Sequence, residues 1–420
     1  VDIRCVLRKK GCQPDTRSGG DVSDFDRRLF LAGAGAALLG ATTRDTPGHV
    51  TLPFGNGTRP LVRMPGKREM ILLTTRPPQL ETPFGVFDEG LITPNDAFFV
   101  RYHLSGLPSE IDPRSFRLKI GGHVTAPLEL TLESLQRDFP VSEIVAVNQC
   151  SGNSRGFVTP RVGGGQLGNG AMGNARWRGV ALKHLLAKAG LRDGARQVTF
   201  NGLDNPPIDT VPDFVKALDL DHAIDGEVMV AFAMNGADLP FLNGYPLRLV
   251  VPGHFGTYWV KHLNEINVVD KDFDGYWMKT AYRIPDNDCA CVEPGTKPEK
   301  TVPIGRFNVR SFVTSHADGA KVSAGQTTEL RGIAFAGGDP VKQVLVSADD
   351  GRSWQAARLG EDAGRYSFWP WRLGVTLARG RHAIKVRAVT AGGETQPFDA
   401  RWQPAGYMRN AVDTVQVEAV

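Results

Sequence analysis

Residues 144–156 read Ile144-Val145-Ala146-Val147-Asn148-Gln149-Cys150-Ser151-Gly152-Asn153-Ser154-Arg155-Gly156. The apolar run predicts a buried strand, and the small and polar residues after it predict the loop into which that strand opens. A thiol at such a junction sits where folds commonly hold functional groups on a rigid base. Arg155 adds a cation five residues on, a setting in which a thiol binds soft metals as its thiolate. The alternative is a buried cysteine acting as a small hydrophobe.

Working outward, Phe98-Phe99-Val100-Arg101-Tyr102 reads as a strand. Its period of two puts Arg101 and His103 on one face and Tyr102 on the other. A cation beside a polar ring suits an oxyanion or phosphate, although a surface arginine and a satisfied histidine would give the same pattern. Val251 to Lys261 is a glycine-containing turn after the strand Leu247–Val251, and its backbone N–H groups with Lys261 could hold a phosphate. It is not a Walker loop, and no GxGxxG opens a helix. Ser115–Ile120 reads as another strand. Val180 to Ala189 puts Leu182, Leu185 and Leu186 on one helical face, with Gly190 as the stop.

The 420 residues suit two or three domains. With 48 Gly and 28 Pro, many turns are expected rather than long helices. Residues 1–44 read as a leader. Arg27-Arg28 precedes the short, Ala- and Gly-rich run Leu29–Ala41, the pattern of a twin-arginine export signal, with a buried Ala-rich helix as the alternative. Export by that route would place the protein in the periplasm. No other apolar run reaches spanning length, so no membrane span is expected after the leader. Residues 45–95 read as an extended, irregular segment, and 96–302 as short strands mixed with short helices. After Pro303 helical patterns stop. Val341–Ser347, the turn Asp349-Asp350-Gly351 and the alternating Ala383–Val389 indicate a β-sandwich over 303–420.

Net charge is +4, too small to point to nucleic acid or an anionic membrane. Of the five cysteines, Cys5 and Cys12 lie in the leader, leaving Cys150, Cys289 and Cys291. That odd number argues against a disulfide framework, and Cys289-Ala290-Cys291 is expected to be too close for an easy bridge. No CxxCH occurs, so no covalently attached haem is expected in this chain.

Together, several segments resemble the sulfite oxidase family of molybdopterin enzymes, most closely its bacterial sulfite dehydrogenases. They are FFVRYHL at 98–104, NQCSGNSRG at 148–156, GNARW at 173–177, GLD at 202–204, MNGADLP at 234–240, YPLRLVVPG at 245–253, WVKHL at 259–263, WMKTAYRIP at 277–285 and VSADDGRSW at 346–354. The resemblance covers about residues 80 to 420. It implies an α+β molybdopterin domain followed by an immunoglobulin-like β-sandwich that mediates dimerisation and contributes few site residues. It implies a molybdenum–molybdopterin cofactor ligated by Cys150, with Phe99, Arg101, Tyr102, His103, Asp204, Arg248, Trp259, Val260 and Lys261 on the pterin. Arg101 and Arg155 would hold the substrate oxyanion, with His103 beside them and Tyr282 near the reacting oxygen.

The implied reaction is oxidation of sulfite to sulfate by oxo transfer. With no haem in the chain, electrons would pass singly to an external cytochrome c or similar acceptor. The chain would be a homodimer or a heteromer with a cytochrome subunit. Departures from the family pattern are Leu167 in place of a tryptophan, Asn243 in place of a cofactor-binding histidine, Tyr258 in place of an arginine and Ala405 in place of a third pocket arginine, with Arg409 close in sequence. Two other readings remain. One is an oxotransferase running the other way, on a sulfoxide or nitrate. The other is a non-catalytic immunoglobulin-like binding protein, against which the intact Cys150, Arg101, Arg155 and Tyr282 argue.

Overall fold

Short antiparallel ladders build most of the protein. The computed structural model describes residues 48–420, so the leader with Arg27-Arg28 lies outside the described residues. The segment expected to be irregular is instead a meander. Strands β1 (His49–Thr51), β2 (Thr58–Arg63), β3 (Glu69–Thr75) and β4 (Pro78–Glu81) pair antiparallel in succession, and β5 (Val100–Arg101) closes on β4 with Gln79 opposite Arg101. The Pro and Gly residues that suggested irregularity sit at its turns. Its apolar burial is slight, with Met70, Ile71, Leu80, Val100 and Tyr102 buried and Val62, Met64 and Leu72 only partly covered. A sheet burying so little has a weak alternating signal in its sequence.

Two sheets follow. Strands β6 (Leu118–Gly122) and β7 (Leu128–Leu130) join Leu263–Val269, Gln197–Gly202 and Lys216–Asp219 in one. Between them and the next sheet lies helix α1 (Leu132–Asp138), whose first turn is capped by Thr131 Oγ1 accepting from the Ser134 N–H at 3.0 Å. The second sheet is built on β8 (Val141–Gln149) and β9 (Met172–Ala181), paired from Val141–Val180 to Gln149–Met172. Met229–Met234, Ala237–Asp238 and Arg248–Val250 extend it. Helix α2 (Leu182–Ala189) buries Leu182, Leu185, Leu186 and Ala189 as its spacing predicts, and ends at Gly190 with φ +70°. Helices are few and short, and none among the described residues is long and apolar enough to cross a membrane.

From Thr301 onward two further sheets enclose a separate core. One orders Arg310–Val313, Thr327–Phe335, Trp369–Thr376 and Arg358–Leu359. The other orders Ala320–Val322, Asp413–Ala419, Gly380–Thr390, Val341–Ser347 and Gln355–Ala356. Leu330 and Trp371 from the first meet Val344, Val346, Ile384, Val386 and Val417 from the second. The alternation of Ile384, Val386 and Ala388 against Lys385 and Arg387 is the expected in–out pattern of a sheet covered on one face.

Cys289 and Cys291 are disulfide-bonded, contrary to expectation. A turn at Ala290, with φ +48°, brings their Cα atoms to 5.1 Å, within the span of a disulfide.

Arg310 ties the last sheets to the loop after Cys150. Its side chain is 1% exposed, donates to Ser154 Oγ at 2.9 Å and pairs with Asp413 at 3.2 Å. Removing one partner of a buried pair costs about 3–5 kcal/mol because the other charge is left buried. Arg409 also pairs with Asp413 and softens that loss. Arg310→Ala should therefore lower stability by about 3 kcal/mol, read as a fall in thermal midpoint. An unchanged midpoint would remove this tie from the account.

Candidate active site

Strand β8 ends at Gln149, and the ladder's last link is the Cys150 N–H donating to the Ala171 carbonyl at 2.9 Å. Two clefts meet at this point. The inner one, of about 400 Å³, is lined by Phe99, Arg101, His103, Asn148, Cys150, Ser151, Leu242, Asn243, Arg248, Gly256, Thr257, Lys261 and Tyr282. The outer one, of about 720 Å³, shares Arg101, Cys150, Ser151 and Tyr282 and adds chiefly Arg155, Leu167, Trp277, Ala405, Tyr407 and the Gly163–Gly165 run. Cys150 is the free cysteine among the described residues, and it is buried.

The predicted residues divide into lining and support. Phe99, Arg101, His103, Arg248 and Lys261 line the inner cleft, Arg155 the outer one, and Arg101, Cys150 and Tyr282 both. Tyr102, Asp204, Trp259 and Val260 do not line either cleft. The Tyr102 ring faces the N-terminal core, as the strand alternation predicts, and its hydroxyl bonds His262 Nε2 at 2.7 Å. Trp259 lies beneath Arg248, with its ring centroid 5.6 Å from the guanidinium carbon, and donates to the His254 carbonyl. Val260 is 1% exposed and accepts the Leu249 N–H through its carbonyl.

The departures are also placed. Leu167 and Ala405 line the outer cleft, and the Ala405 carbonyl accepts from Arg155 Nε at 2.9 Å. Asn243 lines the inner cleft, where Lys67 Nζ donates to its Oδ1 at 2.6 Å and its Nδ2 donates to the Phe99 carbonyl at 3.0 Å. Tyr258 is buried behind the clefts and donates to the Ile304 carbonyl. Arg409 turns away to Asp413.

Neither cleft has a carboxylate in its lining. Three cations, Arg101, Arg248 and Lys261, instead converge on the inner one. Burial, with Arg248 and Arg101 nearby, pulls Lys261 down to about 7, against Asp204 and Cys150, which raise it. Burial also lowers Arg248 to about 10. His103 is held well below its usual range by burial and then by Arg101, Lys261 and Lys216, so its ring is neutral. It shares a short hydrogen bond with the Tyr282 hydroxyl, and burial keeps that phenol protonated by raising its pKa. Buried positive charge that outnumbers the one nearby carboxylate, Asp204, and meets none in the cleft lining marks a site for an anionic ligand.

These residues fit a pterin cofactor with a phosphate tail. The side-chain atoms Asn148 Nδ2 and Oδ1, Thr257 Oγ1 and Arg248 Nε are buried without a hydrogen-bond partner, and all belong to the inner-cleft lining. Native interiors rarely leave such groups unpaired, and they offer both donors and an acceptor. No group of three His, Cys, Asp or Glu side chains forms a metal site among the described residues. A metal at the Cys150 thiolate, a soft ligand, would take its other ligands from the cofactor.

Sequence reasoning missed several lining residues. Asn148, Ser151, Gly256 and Thr257 lay inside motifs already singled out. Tyr407 carried no signal. It arrives on a loop of the last domain, stacks on Tyr282 at 5.3 Å and lies 5.0 Å below the Arg155 guanidinium. Beyond residue 303, the outer-cleft lining takes Ala405 and Tyr407.

Lys216 was also missed. It is 0% exposed, donates to the Trp277 carbonyl at 2.6 Å and lies 4.6 Å from the Tyr258 ring and 5.4 Å from that of Tyr282. Burial lowers it to about 7. A lysine depressed in the fold costs stability progressively as pH falls from its unfolded value of 10.5 through about 7. Lys216→Met removes that cost. The variant's thermal midpoint, relative to wild type, should therefore be more favourable at about pH 6.5 than at about pH 10. A difference independent of pH would refute the buried charge.

Residues 104–277 match the family model described as "Oxidoreductase molybdopterin binding domain", and residues 301–420 match "Mo-co oxidoreductase dimerisation domain". The chain is 35% identical over 366 residues to mitochondrial sulfite oxidase of Mus musculus, covering 82% of this chain and 65% of that protein. It is 34% identical over 365 residues to sulfite oxidase of Gallus gallus, covering 83% and 77%. The chain thus spans just under two thirds of the length of the mammalian relatives. Among solved structures, the sulfane dehydrogenase SoxCD from Paracoccus pantotrophus has a TM-score of 0.68, at 24% identity over 92% of this chain and 94% of that one, a likeness of fold.

Proposed function

The chain belongs to the sulfite oxidase family of molybdopterin oxidoreductases, and from that premise we propose that it oxidises sulfite to sulfate and passes the two electrons singly to an external cytochrome c. One observation carries this reading. The buried Cys150 thiol stands where a cation-lined inner cleft meets an outer cleft holding Arg101 and Arg155, with no carboxylate in either lining.

Sulfite gains one oxygen, ultimately from water, and gives up two electrons as two protons are released. When bound, the molybdenum cofactor supplies the oxygen transfer and two-electron storage that no side chain provides. Cys150 would hold the metal, with Arg248, Lys261, Asn148 and Thr257 on the pterin and its phosphate. Arg101 and Arg155 bind the sulfite dianion by charge-assisted hydrogen bonds and keep it facing the thiol side of the cleft. Arg155 is already oriented by the carbonyls of Ala405 and Gly165 and by the Tyr407 ring, so little ordering remains to be done on binding. In the tautomer where His103 Nε2–H donates to Tyr282 Oη, the phenol hydrogen is left to be donated into the cleft, a neutral donor beside the reacting oxygen.

The reading extends to location and assembly. Arg27-Arg28 before Leu29–Ala41 supports export by the twin-arginine route to the periplasm, where a cytochrome acceptor would be met. The pair of C-terminal sheets reads as an immunoglobulin-like unit, and the dimerisation model matched by residues 301–420 supports a homodimer. Light scattering at micromolar concentration should give twice the chain mass. A fully active monomer would count against the dimer.

The function is tested by kinetics with molybdenum measured in parallel. Cys150→Ser should lose metal and turnover while the fold persists. Losing the Arg101 or Arg155 contact should lower kcat/KM for sulfite roughly 30- to 1,000-fold, and Arg101→Lys and Arg155→Lys should not fully restore it, since a point charge lacks the planar two-donor fork. Tyr282→Phe should reduce kcat/KM with metal content intact. Wild-type kcat/KM in all three of these last variants at full loading would show that this pocket is not built for sulfite.

A further inference from the structure

Glu81, at the end of β4, has no part in the chemistry above, yet it is 1% exposed. Its carboxylate accepts two backbone N–H bonds from one loop, Gly168 to Oε2 at 2.9 Å and Gly170 to Oε1 at 2.7 Å. That loop, residues 163–170, reads GGGQLGNG. It walls the outer cleft through Gly163, Gly164, Gly165 and Leu167, and its Gly165 carbonyl accepts from Arg155 Nη1 at 3.2 Å. It also holds the chain on either side of Arg155. The Gly168 carbonyl accepts from the Ser154 N–H at 2.6 Å and the Leu167 carbonyl from the Gly156 N–H at 2.9 Å.

A loop so rich in glycine has little side-chain packing to define its shape and pays heavily in backbone entropy when ordered. Buried Gln166 and Leu167 anchor part of it, Gln166 donating to the Val162 and Gly164 carbonyls, and at Gly168 and Gly170 its shape comes from backbone hydrogen bonds to Glu81. The approach is close, because a Cβ on Gly168 would stand 2.6 Å from Glu81 Oε1.

The geometry points to Glu81 as a positioning residue for anion recognition, a buried carboxylate of the N-terminal sheet that clamps loop 163–170 and through it sets Arg155 against the substrate. This rests on the proposed role of Arg155 in holding sulfite.

The clamp responds to pH. Burial pushes the Glu81 carboxyl up to about 7, against the Gly170 and Gly168 N–H groups and Arg59, which pull it down. The charged groups on the elements packed around it are Arg59 and Arg63 on β2, Glu69 on β3, Arg101 on β5 and Arg155 beside the loop. Of these, Arg59 acts on the carboxyl. The loop itself has no titratable side chain. The ionised carboxylate accepts both N–H groups, whereas the protonated form keeps a hydrogen on one oxygen and holds the loop less well. The clamp therefore tightens as pH rises through about 7.

Glu81→Gln is the neutral isostere. In the full, cofactor-loaded chain at about pH 8, KM for sulfite should rise about tenfold, with kcat within about twofold of wild type and equal molybdenum content. The variant-to-wild-type ratio of KM should fall towards one near about pH 6, where the wild-type carboxyl is itself protonated. Taking the ratio cancels the titration of sulfite, which is common to both proteins. Amide exchange at Gly168 and Gly170 should quicken in the variant at about pH 8, a readout independent of turnover.

Gly168→Ala keeps Glu81 but presses a methyl against Oε1. It should give the same rise in KM, and the double variant should add nothing further. A pH-independent KM ratio near one with unchanged exchange overturns the proposal. So does a loss of metal and kcat at constant KM, which would make Glu81 merely structural. If Glu81→Gln does not fold, Gly168→Ala decides by the same KM and exchange readouts. Failure of the wild type to oxidise sulfite would sink the functional reading, while the exchange measurement would still decide the clamp.

Discussion

A single backbone bond, from the Cys150 N–H to the Ala171 carbonyl, organises the site. It is the last link of the β8–β9 ladder, and from it the two chains diverge into the loops that wall the clefts. Because the ladder runs in register from Val141–Val180 to Gln149–Met172, the thiol is held at the end of a rigid, buried strand pair. Side chains on such elements keep their geometry better than those on free loops, and the surrounding groups can be placed to sub-ångström purpose only if this one is fixed.

Charge sets the second condition. Arg101, Arg248 and Lys261 are brought together with no carboxylate in the cleft lining, an arrangement that works against folding. Burial lowers the pKa values of Lys261 and Arg248 in the direction that relieves it. An anionic ligand restores the balance, and the buried, unpartnered atoms of Asn148, Thr257 and Arg248 supply hydrogen bonds to it. The protein accepts local instability in order to be complementary to what it binds. Left-handed backbone at Ser154, Tyr282 and Met408, on segments around the outer cleft, is strain of the same kind.

The outer cleft is composite. The N-terminal meander supplies Gln79, Arg101 and the Glu81 carboxylate behind the loop, the central domain supplies Arg155 and the glycine loop, and the C-terminal segment supplies Ala405 and Tyr407. Arg310 reaches from the last sheets to Ser154 and completes the attachment. The outer cleft thus depends on three parts of the chain packing correctly, whereas the lining of the inner cleft comes from residues 99–282.

What could be read from the sequence was whatever depends on local order. The apolar run ending in Cys150, the face shared by Arg101 and His103, the buried face of α2 and the alternation at 383–389 are consequences of helix and strand periodicity, and each stands as expected. Motif resemblance extended that reading to Arg248, Lys261 and Tyr282. The meander over residues 49–101 was not legible, because its strands bury only a handful of residues and leave little alternation to detect. Nor was the Cys289–Cys291 bond, which depends on the turn conformation at Ala290. Tyr407, Lys216 and Glu81 escaped for a different reason. They reach the site across 125, 66 and 87 residues of chain, from Tyr407 to Tyr282, Lys216 to Tyr282 and Glu81 to Gly168. No periodicity links positions so far apart, and only the packed tertiary structure decides which distant groups share a low-dielectric interior and must satisfy one another's charges and hydrogen bonds.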